Sequence, residues 1–190
     1  DTGGLIYNQF ITVKDKTYYI DDEGRPVEGL AVIKNTEYFF DKQKGAQIKG
    51  DFAVNGKYYD GITGALVTNS YVRVGSDWYY VNSKGKRLKG AQIINNVAVY
   101  FNPQNGKQLK GGFDEDGYFY DKDSGAKTDL GKNHYVQIND AWYYIGSEGK
   151  ILKGEQTIDG VQVHFDTITG VQVKGNFITC LLYTSDAADE

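Results

Sequence analysis

The chain has 190 residues, with 21 Lys and Arg against 25 Asp and Glu, 24 Gly, 2 Pro and no Met. The formal charge of −4 with interspersed signs excludes a nucleic-acid-binding surface, and no apolar run approaches the roughly 18 residues that membrane insertion requires. Tyrosine leads the aromatics, with 16 Tyr to 9 Phe and 2 Trp; a flat apolar body under a polar tip suits half-wet packing or a ligand-contacting surface better than a dry interior.

Read from the N-terminus, the chain repeats. Aligned on the residue that ends each unit, it gives Gly29, Gly50, Asn69, Gly90, Gly111, Leu130, Gly154 and Gly175, with steps of 21, 19, 21, 21, 19, 24 and 21, and a ninth unit starts at Asn176. The unit from Ser70 to Gly90 shows the plan. Tyr71 to Val74 is one strand, Gly75-Ser76-Asp77 the turn, and Trp78 to Val81 the return strand. Elsewhere the first turn is Asn55-Gly56, Asn95-Asn96 or Asp159-Gly160, pairs that accept the positive φ of a two-residue hairpin. No segment sustains a 3.6-residue apolar period, so helix is not expected.

A lone hairpin is marginal in water, so the units must bury their faces on one another. They fall into three types in fixed order: a Tyr-Tyr type (Gly29, Gly90, Gly154), a Gln-x-Lys-Gly type (Gly50, Gly111, Gly175) and a shorter type (Asn69, Leu130). The fold class expected is all-β, a β-solenoid of stacked hairpins with about three hairpins per turn and like stacked upon like. The alternative is that the order merely records how the gene duplicated.

Within the Gln-x-Lys type, side chains alternate, so Gln47 and Lys49 share a surface while Ile48 points inward. The same holds for Gln108 and Lys110 around Leu109, and for Gln172 and Lys174 around Val173. Upstream stand Phe40, Phe101 and Phe165, constant and expected in the core, preceded by the variable Phe39, Tyr100 and His164, expected at the surface. Ring, amide and ammonium together suit a sugar: the ring stacks on a pyranose C–H face while Gln and Lys bond its hydroxyls. The competing reading is that Gln and Lys are solvated edge residues that deter strand-to-strand aggregation.

Catalytic and cofactor chemistry find no purchase. Asp114-Glu115-Asp116-Gly117 and Asp121-Lys122-Asp123-Ser124-Gly125 lack the ligand spacing and final Glu of an EF-hand and sit where turns are expected. His134 and His164 lie in different units without a nucleophile or ligand cluster, and no carboxylate pair can be assigned to glycoside chemistry. Neither cofactor nor metal is expected. With no Met, and opening on Asp1 without a visible signal peptide, the chain reads as a piece of a longer protein. Its domain is expected over residues 1–178. Residues 179–190, which include the only Cys, match the in-frame translation of a transposase-type sequencing adapter from Cys180 onward and are expected not to be native. The remainder is cysteine-free, which fits an exported protein of a bacterium that does not rely on disulfides.

The "YYFD…G.Q.KG" and "WYY…G…LKG" patterns, over residues 8 to 178, resemble the glucan-binding and cell-wall-binding repeats found beside the catalytic domain of dextransucrase-like glucansucrases. The resemblance implies a secreted or cell-surface, non-catalytic β-solenoid that binds α-glucan. It implies sugar pockets of an aromatic platform with a Gln and a Lys: Gln47 and Lys49 with Phe39, Gln108 and Lys110 with Tyr100, Gln172 and Lys174 with His164. Tyr59 and Tyr120 would close the first two. His164 departs from the usual tyrosine, and Phe39 lacks a hydroxyl. The sibling repeats bind choline on cell-wall teichoic acid through an aromatic cage, usually with a Gly-Trp step opening each unit. Here unit ends are followed by Leu30, Asp51, Ser70, Ala91, Gly112 and Glu155, and Gly-Trp is absent. Glucan is therefore favoured over a choline-bearing cell-wall polymer, with toxin-type receptor-binding repeats a third reading.

Overall fold

The computed structural model describes residues 4–175; the ninth unit and residues 179–190 lie outside the described residues. Among these residues the chain is all-β without helix. Its elements are β1 (Gln9–Val13), β2 (Lys16–Ile20), β3 (Gly29–Ile33), β4 (Thr36–Phe40), β5 (Asp51–Phe52), β6 (Tyr58–Tyr59), β7 (Ser70–Val74), β8 (Asp77–Val81), β9 (Gly90–Ile94) and β10 (Val97–Phe101). There follow β11 (Gly112–Phe113), β12 (Phe119–Tyr120), β13 (Lys127–Thr128), β14 (His134–Ile138), β15 (Ala141–Ile145), β16 (Gly154–Ile158) and β17 (Val161–Phe165). Sequence neighbours pair as antiparallel hairpins, one for each expected unit. The chain divides into two compact units, Asp1–Gly112 with Tyr120–Lys127, and Phe113–Phe119 with Thr128–Glu190.

Turn chemistry sets the hairpins. Asn95 and Asn96 take φ of 50° and 64°, and Asp159 and Gly160 take 52° and 80°, the paired positive values whose twist matches that of the flanking strands. Asn55-Gly56 behaves differently from expectation. Only Gly56 has positive φ, and its N–H donates to the Ala53 carbonyl at 2.8 Å, so β5 and β6 are two-residue strands around a longer loop. Asn69 stands where six other units have glycine because asparagine tolerates the left-handed φ of 48° required there.

Beyond each return strand a turn closes on an Asp or Asn. Asp60 Oδ1 accepts the Ile62 and Thr63 N–H groups, Asn102 Oδ1 those of Gln104 and Asn105, and Asp121 Oδ1 those of Asp123 and Ser124. Backbone hydrogen bonds, from Thr63, Ser124 and Thr169 respectively, hold the carboxyls of Asp60, Asp121 and Asp166 below the ordinary range, with the neighbouring hydroxyls adding to the effect. Their acidity is thus a turn property. In the seventh unit Gly146 replaces this side chain, although its N–H still donates to the Lys150 carbonyl at 2.8 Å.

Within the first compact unit, hairpins pack on their sequence neighbours. On β9 and β10, Ile94, Val99 and Phe101 pack with Tyr80 and Leu88 of the preceding unit. Ala91, Ile93, Ala98 and Tyr100 alternate to the opposite face. Small clusters of this kind replace one large core: Phe39, Ala53 and Tyr59 form a second, and Tyr58, Val72, Tyr79 and Val81 a third. Phe40, Phe101 and Phe165 are each fully buried, as their constancy along the chain suggests.

Candidate carbohydrate-binding site

The Gln-x-Lys segments return from the closing turn and bridge back to the constant phenylalanines, Gln47 to Phe40, Gln108 to Phe101 and Gln172 to Phe165. Each glutamine N–H also donates to a carbonyl of the preceding hairpin: Gln47 to Thr17 at 2.7 Å, Gln108 to Trp78 at 2.8 Å, Gln172 to Trp142 at 2.7 Å. This docking places the lysines. Lys110 Nζ lies 5.6 Å from the Trp78 ring centroid and Lys174 Nζ 5.0 Å from that of Trp142. In the first copy Thr17 stands at the tryptophan position.

Trp78 is 38 % exposed and Trp142 37 %, so each ring keeps open surface beside its ammonium. Opposite Trp78 on the hairpin stands Arg73, whose guanidinium carbon is 6.0 Å from the same ring. Ile48 packs against the cluster of Phe39, Ala53 and Tyr59, as expected of the inward member.

The expected aromatic platforms are placed differently. Gln108 bridges to Phe101, the fully buried neighbour of Tyr100. Tyr100 instead packs on Tyr120, with centroids 5.8 Å apart, and Tyr120 is itself buried. Phe39 is not a surface ring: it is 5 % exposed, covered by the following hairpin. Tyr59 is fully buried and donates to Glu37 Oε1 at 2.8 Å, and burial above all pushes its hydroxyl pKa up. His164 is half-buried, and its Nδ1 is enclosed without a hydrogen-bond partner among the described residues.

The polar ends of the triplets are engaged as well. Gln47 Nε2 donates to the Thr63 carbonyl at 3.0 Å and Gln108 Nε2 to that of Ser124 at 3.4 Å, while Lys110 Nζ donates to the Asp123 carbonyl at 2.7 Å. They fasten the following turn and do not merely decorate an edge. The rings that the sequence reading did not place beside the lysines are Trp78 and Trp142, each 32 positions before the lysine it meets. The constant offset was legible, but it joins units of different type. Among the described residues no group of three or more His, Cys, Asp or Glu side chains could hold a metal.

Residues 27–71 and 88–129 match the choline-binding repeat family, and residues 8–25, 69–86 and 133–151 match the cell wall binding repeat family. The chain belongs to this family of choline-binding and cell-wall-binding repeats, and it is a non-catalytic repeat module. It is similar to Glucosyltransferase-S of Streptococcus mutans serotype c, 36 % identical over 170 residues, which cover 86 % of this chain and 11 % of that protein. Against Glucosyltransferase-S of Streptococcus downei the identity is 34 % over 183 residues, covering 87 % of this chain and 13 % of the relative. The chain thus spans about a tenth of the curated relatives it matches. Among solved structures, the modular autolysin LytC of Streptococcus pneumoniae shares the fold at 20 % identity and a TM-score of 0.54, over 90 % of this chain and 40 % of that one.

Proposed function

We propose that the chain binds α-glucan noncovalently at the cell surface, as the repeat module of a secreted glucansucrase, with its hairpins wound about three to a solenoid turn. The binding elements are Trp78 with Gln108 and Lys110, and Trp142 with Gln172 and Lys174. One observation carries the choice of ligand. The cation seat over each tryptophan is already held by the chain's own ammonium, at 5.6 Å over Trp78 and 5.0 Å over Trp142. A quaternary ammonium would enter against a like charge, whereas a neutral pyranose stacks on the exposed part of the ring and accepts a hydrogen bond from the lysine.

Similarity to streptococcal glucosyltransferases supports the same reading. Each site is weak and a long polymer is held by several at once, the second engagement on one chain being intramolecular. Affinity electrophoresis tests this: dextran in the gel should retard the protein, and free choline should leave retardation unchanged. Retention on a choline matrix with release by choline would replace the reading with cell-wall anchoring.

A further inference from the structure

The three Gln-x-Lys units begin with equivalent hairpins, β3–β4, β9–β10 and β16–β17, yet their outward faces differ, and the change in size and charge is large at the position of Glu37, Ala98 and Gln162. In the first copy the Glu37 carboxylate takes Lys57 Nζ at 2.9 and 3.0 Å and the Tyr59 hydroxyl at 2.8 Å, and Asn55 Nδ2 donates to that hydroxyl at 2.9 Å. The side chains of Glu37 and Lys57 are 19 % and 23 % exposed. A carboxylate, an ammonium and a phenol therefore fill the space between this hairpin and the next. In the second copy Ala98 replaces Glu37, and a cleft of about 450 Å³ opens, lined by Ala91, Ile93, Ala98, Tyr120 and Lys127. Lys127 occupies the position that Leu66 holds in the first copy, as the matching bridges Tyr38 to Ala65 and Val99 to Ala126 establish.

We propose that the β9–β10 cleft is a second class of sugar site, taking a neutral pyranose of the glucan, and that the Glu37–Lys57–Tyr59 cluster closes its counterpart in the first copy. This deepens the glucan reading and rests on it. The volume lies in the range of small-ligand sites. Its wall is mostly aliphatic, from Ala91, Ile93, Ala98 and Val99 with the Gln92 side chain among them, Ile93 is 77 % exposed, and the buried Tyr120 also lines it. That surface suits the C–H face of a sugar ring, and Lys127 supplies a donor for a hydroxyl. It does not suit choline, because several aromatic faces are missing and the rim charge is positive. The third copy offers a cleft of about 460 Å³ whose wall includes Glu155, Gln162 and His164, with His164 Nδ1 enclosed and without a hydrogen-bond partner among the described residues. Glycan contact there takes a more polar form.

The test is an NMR titration of the whole chain with isomaltotriose, following the methyl groups of Ala98 and Ile93 against those of Ala31 and Val32. The first pair should shift saturably and the second should not. Ala98→Glu, which rebuilds the carboxylate of the first copy, should abolish the Ile93 response while a shift of the Trp78 indole persists. Lys127→Ala gives a second variant should Ala98→Glu fail to fold; it should weaken the Ile93 response at least threefold. An Ile93 response unchanged in a folded Ala98→Glu or Lys127→Ala chain, or equal shifts at Val32 and Ile93, would overturn the cleft assignment and leave the tryptophan sites standing. Absence of any response in the native chain would overturn both.

Discussion

The amide of Gln47 can be weighed against the glycine it covers. At Gly64, φ is +70°, and a Cβ there would collide with Gln47 Nε2 and lie 2.5 Å from its Cδ. Holding alanine in the left-handed region costs about 1–2 kcal/mol. Displacing the Gln47 amide from the Thr63 carbonyl adds about 1 kcal/mol, so Gly64→Ala should destabilise by about 2–3 kcal/mol in all. Gln47→Ala alone should cost less, about 0.5–1 kcal/mol, because its buried Oε1 has no partner among the described residues and removing it relieves part of the loss.

Combining the two removes the collision. The double variant should therefore lie about 1 kcal/mol above the additive sum. Gly90→Ala is the control, since φ there is +69° and nothing stands within 4 Å of the added Cβ. It isolates the backbone contribution. Urea denaturation of the four variants and the native chain measures the cycle. Strict additivity of Gly64→Ala and Gln47→Ala, or a Gly90→Ala cost equal to that of Gly64→Ala, would refute the view that the triplet glutamine is seated against the following turn.

Depressed aspartate pKa values make the turns acid-sensitive: with the folded-state value below the unfolded one, their contribution is present at neutral pH and lost as pH falls through the folded value. Melting against pH should show an acid limb that the triple change Asp60→Asn, Asp121→Asn, Asp166→Asn flattens, because Asn102 makes the same Oδ1 contacts without a titrating group; an unchanged limb would place the acid transition elsewhere. Gly146→Asn should restore the missing turn acceptor and raise stability by about 0.5–1 kcal/mol once a Leu152 methyl rotates aside, and a lowered melting temperature would mean that Leu152 cannot move.

The hairpins were legible because glycine, asparagine and aspartate mark their turns, and because the constant Phe40, Phe101 and Phe165 fall on the strand position that faces the preceding unit. The short hairpins were misread at Asn55-Gly56 because the same dipeptide serves a longer loop, a choice set by strand length and not by the pair itself. The surroundings of the triplets were less legible for a different reason. Alternation correctly grouped Gln108 with Lys110, but the sequence does not say which ring a neighbouring unit delivers to that face, and the unit of the other type delivers Trp78. Phe39 and Tyr59 carry the residue types of a binding surface, yet they bury against each other between successive hairpins. The cleft beside Ala98 had no motif at all; it is visible only against the ion pair that fills its counterpart.

The tryptophan sites are tested most directly by calorimetric titration of the native chain, Trp78→Ala, Trp142→Ala and the double variant with a long dextran and with isomaltotriose, each protein checked for an unchanged hairpin fold by circular dichroism. Either single change should weaken isomaltotriose modestly. The double change should lower dextran affinity at least tenfold, about 1.4 kcal/mol, because it removes both rings across which one polymer is shared. Dextran binding left intact in a folded double variant would contradict the assignment of Trp78 and Trp142, with their lysines, as the glucan-binding platforms of this chain.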